Sequence, residues 1–226
     1  MAYKTDISNT AYSPEYIQYR EKIINEAFTA KNKVEDAVIK NDAFQIIIDH
    51  YKSADKRSYC GHTKIYNKSN ELLHEYFNLY DHPFFCKRIQ YSNGLDYIFY
   101  KEDLYGYSVY EIETKKVFNY FPSATFVRAA ETFIGTDIHY NKNNNIFAVD
   151  GCYWACPGDV FLIKANNPME VFGELVNIHE IIDPEYDKYD DIDFVCWENN
   201  NIQLKIDCKD IITLTEEDYK PKMVQI

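Results

Sequence analysis

The sequence predicts a mainly β chain of the α+β class: blade-like antiparallel sheets in an open or incomplete arrangement, with an N-terminal helical layer. Three observations lead there. First, one polar-turn pattern recurs. Ile89-Gln90-Tyr91 runs into Ser92-Asn93-Gly94 and a strand-like run from Asp96 to Tyr100. Ile138-His139-Tyr140 runs into Asn141–Asn144 and then Ile146-Phe147-Ala148-Val149. Val195-Cys196-Trp197 runs into Glu198-Asn199-Asn200 and then Ile202-Gln203-Leu204-Lys205-Ile206. Repetition at such intervals marks stacked β architectures. Second, aromatics make up 16% of the chain, with 21 Tyr and 14 Phe, residues that suit pleated, half-wet surfaces. Third, Gly and Pro number only 7 each, so Asn and Asp build the turns, because they tolerate left-handed dihedrals.

Taken in order, Ser13-Pro14-Glu15 reads as a helix start: a capping hydroxyl, Pro at the first helical position and an acid in the first turn. Tyr16, Tyr19, Ile23 and Ala27 continue it on one face, which predicts a helix from about Pro14 to about Ala30. A second short helix is expected over Val34 to Ile39. The run Ala43-Phe44-Gln45-Ile46-Ile47-Ile48 fits either a continuation of it or a buried strand. From about Cys60 the texture is that of strands. Thr63–Tyr66 and Glu71–Phe77 flank a polar turn, Tyr107–Ile112 and Val117–Phe121 flank another, and Asp159–Ile163 and Pro168–Phe172 a third. The chain therefore divides into an N-terminal helical segment, 1–55, and a β domain, 56–226, with about three repeats.

Each repeat reads as strand, turn, strand, loop, strand, turn, strand. That order resembles a β-propeller blade over residues 60–214, without the Trp-Asp or Gly-His signatures of common propellers. A closed propeller needs at least about four blades. The resemblance therefore implies an open or incomplete arrangement, with the helix covering an exposed edge. The segment Gly151-Cys152-Tyr153-Trp154-Ala155-Cys156-Pro157 resembles one in an uncharacterised bacterial protein family, and that likeness implies no particular activity.

An apolar fraction of 46% over 226 residues is enough to fill a core. Met1–Asp6 lacks the apolar core of a secretion signal, and no run approaches membrane-spanning length. A cytoplasmic location is expected, with the 6 Cys reduced. The net charge of −12 is unevenly placed: residues 1–136 carry 18 acids against 17 bases, and residues 137–226 carry 18 against 7. That weighs against a nucleic-acid partner, which needs clustered Lys and Arg, and favours a basic protein partner, a cation or simple solubility; no nucleic-acid partner is expected.

Few residues suggest chemistry. Cys152 and Cys156 are spaced Cys-x-x-x-Cys, where a thioredoxin-like site requires Cys-x-x-Cys at a helix start. Further zinc candidates, Cys60, His62, His82 and Cys86, form no recognised spacing with them. No metal and no other cofactor is expected. His139 alternates with Ile138 and Tyr140 and shares a face with Asp137, so a Cys152–His139–Asp137 nucleophile arrangement is conceivable. No Walker, dinucleotide or His-Glu-x-x-His motif occurs. Between Glu180 and Asp193 lie seven acids and one Lys, in an order unlike an EF-hand. Its Tyr186, Asp187, Tyr189, Asp190, Asp191 and Asp193 are the candidate binding residues, with tyrosines as anchors and acids as steering charges. The expected function is a protein-binding module with no catalytic residues, of the acidic immunity type that masks a basic toxin. The alternative is a Cys- or metal-dependent hydrolase using Cys152 and His139.

Overall fold

The computed structural model describes residues 2–8, 10–79, 85–128 and 130–225. The fold is α+β, with an N-terminal helix and several open, mostly antiparallel sheets. The chain divides into two compact units, residues 1–88 with 96–129, and residues 89–95 with 130–226. No helix among the described residues is long and apolar enough to cross a membrane.

In the first unit, β1 (Thr10–Ala11) precedes α1 (Pro14–Ala27). The Ser13 hydroxyl accepts the Tyr16 amide at 3.2 Å, satisfying one of the helix's orphan donors, and Pro14 has no N–H to satisfy. The helix stops three residues short of Ala30, where a 3-10 turn takes over. Its inner stripe is Tyr16, Arg20, Ile24 and Ala27. Arg20 is buried and lies 2.6 Å from the carboxylate of buried Glu102. Burial of one charge without the other would be prohibitive.

The strands β2 (Lys33–Lys40), β3 (Gln45–Lys52), β4 (Tyr59–Tyr66) and β5 (Leu72–Asn78) form one sheet in chain order. Here the structure corrects the helix expected over Val34–Ile39, which is strand. Val38 pairs with Ile47 across the β2–β3 ladder. Ala37 and Ile39 pack on the core, while Val34 and Val38 are exposed. That is a period of two, and it suits the β-branched residues present. The helical segment expected over 1–55 thus holds one α-helix and then two strands. Next come β6 (Cys86–Gln90), β7 (Asp96–Tyr100), β8 (Tyr107–Glu111) and β9 (Val117–Tyr120), with β1 added in parallel along β9. Phe44, Ile46, Ile48, Ile65 and Tyr76 meet Cys86, Ile98, Tyr100 and Tyr110 in one core. A short α2 (Ser123–Phe126) closes the unit.

The second unit contains β10 (Ile134–Asn141), β11 (Ile146–Cys152), β12 (Gly158–Lys164) and β13 (Glu174–Asn177), then α3 (His179–Ile182). The strand expected at Pro168–Phe172 is displaced to β13. The Asn167 side chain accepts the Met169 amide at 3.0 Å, and that turn occupies the segment instead. A separate sheet holds β14 (Ile192–Glu198), β15 (Asn201–Ile206) and β16 (Asp210–Leu214). After α4 (Glu216–Tyr219), β17 (Val224–Gln225) pairs with β13. Ile146, Ala148, Val160, Leu162 and Val176 of the larger sheet pack with Ile192, Ile202, Leu204 and Ile206 of the smaller.

Of the repeated aromatics, Tyr140 and Trp197 stand near the turn-facing ends of β10 and β14, each the first strand of its sheet, whereas Tyr91 lies one residue beyond β6. They do not all keep to their own sheet neighbours: Tyr91 and Tyr140 stack on one another with centroids 4.8 Å apart.

Candidate metal centre

The site is created by an irregularity in β10. Gly135 pairs with Gly151, but Asp137 pairs with Asp150, so Thr136 is an extra residue on one strand. Regular pairing from Gly135 would set Asp137 opposite Val149, on the other face from Asp150. The bulge brings both carboxylates to one face, and His139, two residues on, joins them. Gly151 permits the close approach, because a Cβ there would collide with the Ile134 carbonyl oxygen and the Phe133 ring.

His139 Nε2 lies 2.7 Å from Asp150 Oδ2 and 3.6 Å from Asp137 Oδ2. All three side chains are half-buried, and one ligand atom from each falls within 4.8 Å of the others. The smaller sheet fixes the orientation of Asp150 and His139. The Phe194 amide donates to Asp150 Oδ1 at 2.9 Å, and the Phe194 ring stacks on His139 at 4.0 Å. Trp197 Nε1 donates to the His139 carbonyl at 3.0 Å. Phe194 itself borders a second bulge, between Phe194 and Cys196 on β14.

A second group, Asp191, Asp193 and exposed Cys208, also brings ligand atoms together. Burial raises the Asp193 carboxyl above its ordinary value, the like charges of Asp191 and Asp150 add to the rise, and Lys205 opposes it. Asp193 thus feels the carboxylates of both groups.

The residues singled out from sequence fall as follows. Asp137 and His139 meet as alternation implies. Cys152 does not join them: His139 lies opposite Ala148, four positions from Cys152 on β11, a displacement of about 13 Å along a strand. Asp150 was missed, although it is the one charged residue in the apolar run of β11. Cys60 and Cys86 are buried, and burial pushes each thiol up to about 12, far from the thiolate that a ligand or nucleophile needs. His62 is engaged with Glu75 at 3.1 Å, and His82 lies outside the described residues. Cys156 is exposed, with its thiol 3.7 Å from the Trp154 carbonyl.

The acidic segment is more built than a solvated run. Buried Asp183 accepts the amides of Lys188 at 2.8 Å and Tyr189 at 3.1 Å. Asp191 accepts the Gly158 amide at 2.8 Å, and the Asp190 amide donates to Asp207 at 2.9 Å. Tyr189 packs against the core, whereas Tyr186 and Asp187 are exposed. No protein-family model, curated protein or solved structure matches the chain.

Proposed function

We propose that the chain is a metal-dependent hydrolase whose divalent cation is held by Asp137, His139 and Asp150. One observation carries the reading: an imidazole and two carboxylates from adjacent strands converge on a single point at ligand spacing. The donor set fits zinc or a comparable first-row ion, since imidazole and carboxylate oxygen are both common ligands for it. A tetrahedral zinc with bonds of about 2.0–2.1 Å holds its donors about 3.3 Å apart. The His139–Asp137 separation of 3.6 Å is close to that. The His139–Asp150 contact of 2.7 Å would open by about 0.6 Å as the ion replaces the bridging proton. Three protein ligands leave a coordination position free, and a bound ion there supplies an activated water and polarises a substrate oxygen. Phe194 and Trp197 keep the ligands oriented, as partners behind a metal site do.

The test is zinc retention and hydrolysis in a Cys156→Ser/Cys208→Ser background, which removes the exposed thiols. Zinc-loaded, dialysed protein should retain one equivalent and hydrolyse bis(p-nitrophenyl) phosphate or p-nitrophenyl acetate. His139→Ala should lose both properties. No retained zinc, or turnover indifferent to His139→Ala, would overturn the reading.

A second reading, a protein-binding module for a basic partner, is favoured by the exposure of Tyr186 beside Asp187 on the acidic segment. An aromatic ring among carboxylates offers an anchor and a steering field together. Neutralising the exposed acids there should slow association with such a partner.

A further inference from the structure

The Gly151–Pro157 segment contributes nothing to the metal ligands except the close approach at Gly151, yet it displays the most exposed large aromatic among the described residues. Trp154 is 67% exposed. Tryptophan is highly buried on average, so one this exposed stands out, the more so when a second exposed ring lies near it. The display is built. The Cys156 amide donates to the Tyr153 carbonyl at 3.0 Å, closing a tight turn. Ala155 takes a left-handed φ of 60° within it, a conformation uncommon for a residue with a side chain. The Trp154 amide donates to the Glu131 carboxylate. The backbone is thus tied down while the indole faces solvent.

A second displayed ring belongs to the same neighbourhood. Tyr186 is 56% exposed and has a left-handed φ of 54°. Its amide donates to the Asp183 carbonyl at 3.0 Å, and its ring stacks on His179 at 4.3 Å. Tyr153 connects the two. Burial raises its hydroxyl above the ordinary value, and Asp159, Tyr186, Glu180 and Glu131 add to the rise. The geometry agrees: the Tyr153 ring lies 6.3 Å from that of Phe161, and Phe161 pairs with Asn177, two residues before the His179 on which Tyr186 stacks. Glu131, Glu180, Glu185 and Asp187 are exposed, and between Glu180 and Asp193 the only base is Lys188.

We propose that Trp154 and Tyr186, with Glu131, Glu180 and Asp187, form a docking surface for an arginine-rich segment of a protein partner. The proposal rests on the docking reading above and is independent of the metal centre. Charge complementarity selects a basic occupant. Guanidinium is a better match than ammonium, because its plane stacks on indole and phenol while its edge pairs with carboxylate. Tryptophan and tyrosine are also the side chains that most often carry interface energy.

The probe is fluorescein-labelled nona-arginine, followed by anisotropy, with nona-citrulline as the uncharged control. Trp154→Ala should weaken binding at least about tenfold. Tyr186→Asn, which keeps a residue tolerant of left-handed backbone, should do likewise, and Trp154→Ala should leave the melting temperature unchanged. Glu180→Gln/Asp187→Asn should flatten the salt dependence. If nona-arginine binds the native chain and Trp154→Ala alike, but the acid variants more weakly, the aromatic surface is refuted and acidic docking stands. If nona-arginine does not bind, or nona-citrulline binds equally well, both fall.

Discussion

Asp137→Asn separates ligand loss from fold damage better than any other change at the metal centre. The Asp137 side chain is 38% exposed and sits 3.6 Å from His139, and the Asn oxygen can still accept the Ile138 amide that Asp137 Oδ1 holds at 2.8 Å, so removing its charge should change apo stability by no more than about 0.5 kcal/mol. Asp150 is less suitable, because its Oδ1 holds the Phe194 amide of the other sheet. Metal that binds only the folded chain stabilises it by RT ln(1 + [L]/Kd), which is about 2.7 kcal/mol at a hundredfold excess over Kd. For a chain of this size each kcal/mol raises the melting temperature by about 2–4 °C. Saturating zinc should therefore raise it by about 5–10 °C in the native chain. The asparagine variant loses an anionic ligand, and at the same zinc concentration most of that rise should vanish. The assay is thermal denaturation by circular dichroism, with zinc and with EDTA, in the Cys156→Ser/Cys208→Ser background. Equal zinc shifts in native and Asp137→Asn chains would show that zinc binds elsewhere, and the geometric argument would fail.

Gly151→Ala should destabilise the chain by about 1–3 kcal/mol, the range for forcing a methyl into a filled space, since its Cβ would meet the Ile134 carbonyl oxygen and the Phe133 ring. Urea denaturation checks this, and a neutral substitution would mean that β10 can move away. Asp183 gives an acid-sensitive contribution. Burial pushes its carboxyl up, but the amides of Lys188, Tyr189 and Asp187 outweigh that and bring it from 3.8 to about 2. A depressed carboxyl stabilises the fold above its unfolded value and ceases to do so as pH falls through the folded one. Asp183→Asn should melt below the native chain at neutral pH, and the gap should narrow between pH 4 and pH 2. A gap that does not change with pH would mean that charge is not what those amides recognise.

How much of this could be read from the sequence depends on the range of the interaction. The start of α1 was legible because Ser13 and Pro14 act on residues within one turn. β2 was not legible, because six residues with two valines and one isoleucine fit a helix about as well as a strand. Its partner β3 decides the matter. The same limit explains the metal centre. Alternation along β10 places Asp137 with His139, since both belong to one strand. Asp150 enters from β11, and its face relative to Asp137 depends on whether Thr136 is inside or outside the ladder. No composition rule locates a bulge of one residue, yet that residue decides whether the two carboxylates converge or point to opposite faces. The nearest local signal is Gly151, directly before Cys152 in the segment whose cysteines draw attention first. Its lack of a side chain allows the strands to approach where the register shifts. The chemistry suggested by Cys152 and His139 was thus displaced by two positions along β11, from Cys152 onto Asp150, a carboxylate that an apolar run had made inconspicuous.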